Sequence, residues 1–215
     1  MSRYVRPPID TMTFVDNDGQ PIDYGLRGAS MPPDEAHTSI RHPERFAPLH
    51  VIADALIAHL ETAYDVEVTD DLAVADDLVL CPAVEIIRAV RIRPRSDKCA
   101  PLTLVYTDLP GIFLHAGVLH DFPYPPCSCD ACDFSGIEEV EDLERQVLAI
   151  AHGNYWEGID KAAQPWVGYA FNYADGKESG RARADGWPAE RVDAARRVLE
   201  RVPLGWAAWP RAQFA

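Results

Sequence analysis

The chain reads as an α+β protein, an antiparallel meander of about three to five strands with about three helices packed on it. Three observations predict this. Apolar and β-branched stretches cluster between residues 64 and 118. Two segments, near 44–63 and 135–151, repeat apolar residues every three or four positions. A strong turn, Asp108-Leu109-Pro110-Gly111, joins two of the stretches as a hairpin.

The elements follow in order. Residues 1–43 read as irregular, because Pro7, Pro8, Pro21, Pro32, Pro33 and Pro43 leave little room for a helix. A short hairpin is expected within them, with Asp16-Asn17-Asp18-Gly19 turning between Thr13–Val15 and Ile22–Tyr24. The same acids resemble a calcium loop, but Gly at the sixth position and Glu at the twelfth are missing. Glu44 to Ala63 reads as the first helix, with Leu49, Ile52, Ala53, Leu56, Ile57 and Leu60 on one face. Strands are expected at Tyr64–Thr69, Val84–Arg93, Leu102–Thr107 and Ile112–Val118.

Ser135 with Glu138 reads as a capping box that starts a second helix, and Gly153 suits its end. Trp166–Phe171 reads as an edge strand, Gly176–Gly186 as a loop and Pro188–Val202 as a third helix. Residues 203–215 read as an aromatic tail that closes the core. With no internal repeat and no flexible linker, the 215 residues are expected to form a single domain, 1–215.

Composition narrows the function class. The net charge is −14, from 34 acids against 20 bases, which argues against nucleic acid as the main partner. No apolar run is long enough to span a membrane, and the first residues lack the apolar core of a signal peptide. The expected compartment is therefore the cytoplasm. The segments Phe46–Ile87 and Cys99–Glu144 carry nine acids each and no Lys or Arg. They would either meet the basic strip Arg88, Arg91, Arg93, Arg95 and Lys98 within the fold or dock a basic protein partner.

The most informative stretch is Cys127-Ser128-Cys129-Asp130-Ala131-Cys132. Three thiols within six residues can converge on one ion, and soft thiolates with tetrahedral geometry point to zinc. His120, seven residues upstream, is the expected fourth ligand. His115, Cys99 and Cys81 are the alternatives. Four protein ligands would make the zinc structural. Three plus water would allow a zinc-dependent hydrolase or deaminase-like enzyme, with Asp130 or Asp133 as the local base. A redox disulfide, a thiol nucleophile with His120 as base, and plain packing use the same cysteines. A trio of His50, Asp54 and Glu61 on the first helix is a weaker metal or acid–base candidate, since polar helix faces are usually just solvated. No G-x-S-x-G elbow, phosphate loop, H-E-x-x-H pair or dinucleotide fingerprint is present.

Four stretches carry a resemblance. They are Gln20-Pro21-Ile22-Asp23-Tyr24-Gly25, His42-Pro43-Glu44-Arg45-Phe46 with Pro48-Leu49-His50, Pro101-Leu102-Thr103, and Cys127 through Asp133. In these the chain resembles an uncharacterised family of GC-rich Gram-positive bacteria. The resemblance implies a cytosolic single-domain protein of unknown function and carries over no functional residues.

Overall fold

The computed structural model describes residues 3–10, 12–26, 31–80 and 82–213. A two-stranded ribbon comes first, β1 (Phe14–Val15) with β2 (Pro21–Ile22). The Asp16 carboxylate accepts from the backbone N–H of Asp18 and Gln20, and Gly19 takes a left-handed φ of 77°, which is the turn chemistry the sequence offers there.

Helix α1 is Pro48–Ala63, four residues shorter than the apolar repeat suggests. Pro43–Phe46 forms a separate 3-10 turn ahead of it. The reason is Pro48, whose missing N–H and ring are tolerated only in the first turn of a helix. The expected stripe of α1 is buried.

Strands β3 (Val66–Asp70), β4 (Ile86–Pro94), β5 (Leu102–Thr107), β6 (Gly111–Ala116) and β7 (His120–Tyr124) form one antiparallel sheet in chain order. The expected β5–β6 hairpin forms, with Leu104 opposite Leu114. Strand β7 was not expected, because Pro123 lies within it. A sheet edge accommodates that residue, and among the described residues β7 pairs only with β6.

Helix α2 (Gly136–Ala151) packs beside α1. The two share one core with the inward residues of β4 to β7, including Val90, Leu102, Leu104 and Leu114. The opposite face of the sheet is covered by the 3-10 turn Leu72–Asp77, where Val74 meets Ala89 and Val105. Both α-helices of this core thus lie over one face, as expected. Gly153 ends the α2 segment at φ 73°, also as expected. Ser135 occupies the N-cap position but makes no side-chain cap bond, so the capping box does not form.

A second sheet follows, β8 (Tyr155–Ile159), β9 (Trp166–Tyr173) and β10 (Gly176–Arg183), in the order β10-β9-β8. Strand β9 is therefore central rather than an edge, and the expected loop 176–186 is mostly strand. Its sequence, GKESGRAR, has almost no apolar signal, and pairing with β9 supplies the order instead. Helix α3 (Ala189–Leu199) packs Val192 and Ala195 on Leu119, Val167 and Ala184. The tail does wrap the core: Trp206 and Trp209 are buried, and Trp209 donates its indole N–H to the Ala100 carbonyl at 2.9 Å.

Two polar features stand out, one buried and one largely exposed. The Glu157 carboxylate has no side-chain exposure and accepts from five groups: the N–H of Val118 and Leu119, the Tyr155 hydroxyl, His120 Nδ1 and Trp206 Nε1. Four of the nine acids of the 46–87 segment pair with arginines of the following strip. Arg88 bridges Asp54 and Asp70, Arg91 pairs Asp77, and Arg95 pairs Asp65. No helix among the described residues is long and apolar enough to cross a membrane.

On α2, Glu139 is 4% exposed, and burial first, then Asp142 and Glu138, push its pKa up to about 7. The folded chain therefore holds this proton longer than the unfolded chain does. Its contribution to stability is present at low pH and is lost as pH rises from the unfolded value, about 4.3, through about 7. Glu139→Gln should accordingly raise stability by about 1–3 kcal/mol at pH 8 and change it little at pH 4, read by urea unfolding.

Candidate metal centre

Between β7 and α2 the chain forms a loop whose three sulfurs converge. The Sγ atoms of Cys127, Cys129 and Cys132 all lie within 4.8 Å of one another. Cys127 to Cys129 is 3.2 Å and Cys129 to Cys132 is 3.5 Å. Cys127 and Cys129 are half-buried, while Cys132 is exposed.

Loops with so little apolar content do not order themselves. Here the order comes from Arg45, in the 3-10 turn before α1. Its side chain is 1% exposed. It donates to the carbonyls of His42 (2.9 Å), Ser128 (2.9 Å) and Phe134 (3.3 Å). The last two bracket Cys129 and Cys132. The guanidinium lies 4.3 Å from the ring centroids of both Tyr24 and Phe46. Gly136 must be glycine for this approach, since a Cβ there would fall 1.8 Å from the Arg45 carbonyl oxygen.

Asp130 secures the middle of the loop. Its carboxylate accepts from the Ser39 hydroxyl (2.7 Å) and the Arg41 N–H (3.2 Å), with the Arg41 and Arg45 guanidiniums at 3.6 and 3.9 Å. Two backbone bonds add to this, Asp130 N–H to Ser39 C=O and Ala131 N–H to Ala36 C=O. The irregular N-terminal segment is thus the other half of the site. Asp133 turns the chain toward α2 with a left-handed φ of 57°.

The thiols do not ionise alike. Burial opposes ionisation of Cys129, but hydrogen bonds from the Cys127 and Cys132 thiols and from the backbone N–H of Cys132 and Ala131 outweigh it. Its pKa falls below the ordinary thiol value. Cys132 is pushed up to about 12, first by its hydrogen bond to Cys127 and then by burial. Of these two thiols, Cys129 is the one the local hydrogen bonds favour as thiolate.

The donor set suits zinc. With Zn–S bonds of about 2.3 Å, tetrahedral geometry puts sulfurs about 3.8 Å apart. The two shorter separations here need only a slight spreading.

The histidine expected to complete the set stands elsewhere. His120 is not in the converging group, and its Nδ1 faces Glu157 Oε2 at 3.2 Å and the Tyr155 hydroxyl at 3.3 Å. Strand β7 accounts for this: an extended strand advances about 3.4 Å per residue, so it carries His120 away from Tyr124 and the cysteines beyond. His115 pairs with Asp121 at 2.6 Å. Cys99 sits in the main core, donates to the Ala208 carbonyl and has its pKa raised by burial. Cys81 lies outside the described residues. His50 bonds the Gly111 carbonyl while Asp54 serves Tyr106 and Arg88, so that trio does not assemble. Sequence reading missed Arg45. Its only signal is an arginine ahead of an apolar helix stripe, and many surface residues share that pattern.

Residues 10–213 match a family described as of unknown function, DUF6226, and the chain belongs to that family. No curated protein and no solved structure matches it.

In the reduced, metal-free chain, alkylation at pH 8 followed by mass mapping should label Cys129 ahead of Cys132, although Cys132 is the more exposed. Arg45→Met should destabilise the fold by about 3–5 kcal/mol, read by urea unfolding, because it leaves Asp130 with fewer partners and takes the guanidinium donors away from the Ser128 and Phe134 carbonyls. Arg45→Lys should not restore this, since an ammonium cannot span three divergent carbonyls.

Proposed function

We propose that this chain is a binding protein of the cytoplasm whose C-x-C-x-x-C loop holds a structural zinc ion through Cys127, Cys129 and Cys132. The single observation that supports the reading is the convergence of three thiols within 4.8 Å on a loop already fixed by Arg45 and Asp130. The ion would neutralise the thiolates and fasten the N-terminal segment, the loop and the start of α2 to one another. As a structural ion it would take its fourth ligand from a protein donor outside the loop, whereas water there would leave an open position. His120 is not in the converging group, so we give it second place.

An open position is also what a catalytic zinc keeps, and a cavity of about 250 Å³ bordered by Tyr24, Arg41 and Asp133 adjoins the loop. That favours a zinc-dependent hydrolase or deaminase-like enzyme as the second reading. It is the weaker one because Asp130, one of its two local bases, is engaged by Ser39, Arg41 and Arg45. A basic protein partner loses ground for a similar reason, since Asp54, Asp65, Asp70 and Asp77 are paired with arginines of the same chain.

Protein purified under reducing conditions should carry about one equivalent of zinc. Cobalt exchanged into it should show thiolate-to-metal charge transfer, and Cys129→Ser should abolish both. Less than a tenth of an equivalent, with all three thiols freely titratable in the folded chain, would overturn the proposal. His120→Ala should leave zinc content unchanged if the fourth donor is external, and lower it if His120 ligates.

A further inference from the structure

Away from the cysteine loop, a cavity of about 410 Å³ opens between α3 and the segments 163–165 and 183–187. That size lies within the range of small-molecule sites. Its floor is the satellite core, with Ala184 and Val192 buried beneath it. Trp187 forms a wall and is held by its indole N–H, which donates to the Leu119 carbonyl at 2.8 Å.

Helix α3 supplies the polar groups. Ala189, Val192, Asp193 and Arg196 all line the cavity, and their spacing places them on one helical face. Asp193 and Arg196 lie one turn apart, about 5–6 Å between Cβ atoms. Among the described residues neither is ion-paired. Arg196 spends one N–H on the Asp160 carbonyl at 3.2 Å and keeps the rest of its fork. Arg183 and Asp185 also line the cavity and pair with each other at 3.7 Å.

A carboxylate and a guanidinium set side by side above an apolar floor match a ligand that carries both charges close together on an apolar body. We propose that this cavity binds a small zwitterion of the α-amino-acid class with an apolar or aromatic side chain. Arg196 takes the carboxylate, Asp193 takes the ammonium, and the side chain rests against Trp187 and Val192. The site is independent of the metal reading, because none of its residues touches the cysteine loop.

Calorimetry on the full chain with L-phenylalanine tests this, with phenylpropionate lacking the amine and phenethylamine lacking the carboxylate. Phenylalanine should bind, and each truncated analogue should bind roughly tenfold more weakly, the effect of one charge-assisted hydrogen bond. Asp193→Asn should erase the preference over phenylpropionate alone, and Arg196→Gln the preference over phenethylamine alone. Ala189 is exposed, so Ala189→Trp should fold, retain its metal content and bind none of the three. No heat from phenylalanine at millimolar concentration, or equal affinity for either truncated analogue, would overturn the proposal.

Discussion

The site depends on one guanidinium removed from water. Burying a charge is costly unless it is hydrogen-bonded and paired, and Arg45 has three backbone carbonyls, two aromatic rings and a nearby carboxylate around it. Two of those carbonyls belong to residues on either side of Cys129 and Cys132. The fork geometry of the guanidinium therefore fixes the span of the loop. The sulfurs converge because their backbone has little freedom left.

The same logic recurs where the two larger sheets meet. Glu157 on β8 receives N–H groups from the β6–β7 turn and an indole N–H from the tail. Gly117, at φ 66°, sits in that turn, and a Cβ there would collide with the Glu157 carboxylate. A buried charge with all its partners present ties segments distant in sequence into one arrangement, and a partial set would cost more than an apolar replacement. The hydrophobic cores supply most of the stability, while these two charges select which loops lie where.

Much of the fold was legible because its signals are local. The stripe of α1, the turn at Asp108–Gly111 and the β-branched run of β5 each carry their own period or turn chemistry. What was not legible depends on pairing across the chain. Strand β10 is polar at nearly every position, and β7 contains a proline, so each is ordered by its neighbour. The cysteines were found from spacing alone, since six residues cannot carry them far apart. Closeness in sequence did not bring His120 into the converging group, since an extended strand separates residues at about twice the rate of a helix. Arg45 could not be read at all, since its role exists only after the N-terminal segment folds back onto the loop.

The most direct test of a preformed three-thiol centre is X-ray absorption at the zinc edge of the purified protein. Three sulfur neighbours at about 2.3 Å and one lighter neighbour are the expected result. A shell of nitrogen and oxygen alone would contradict the account, as would an edge too weak for the protein present.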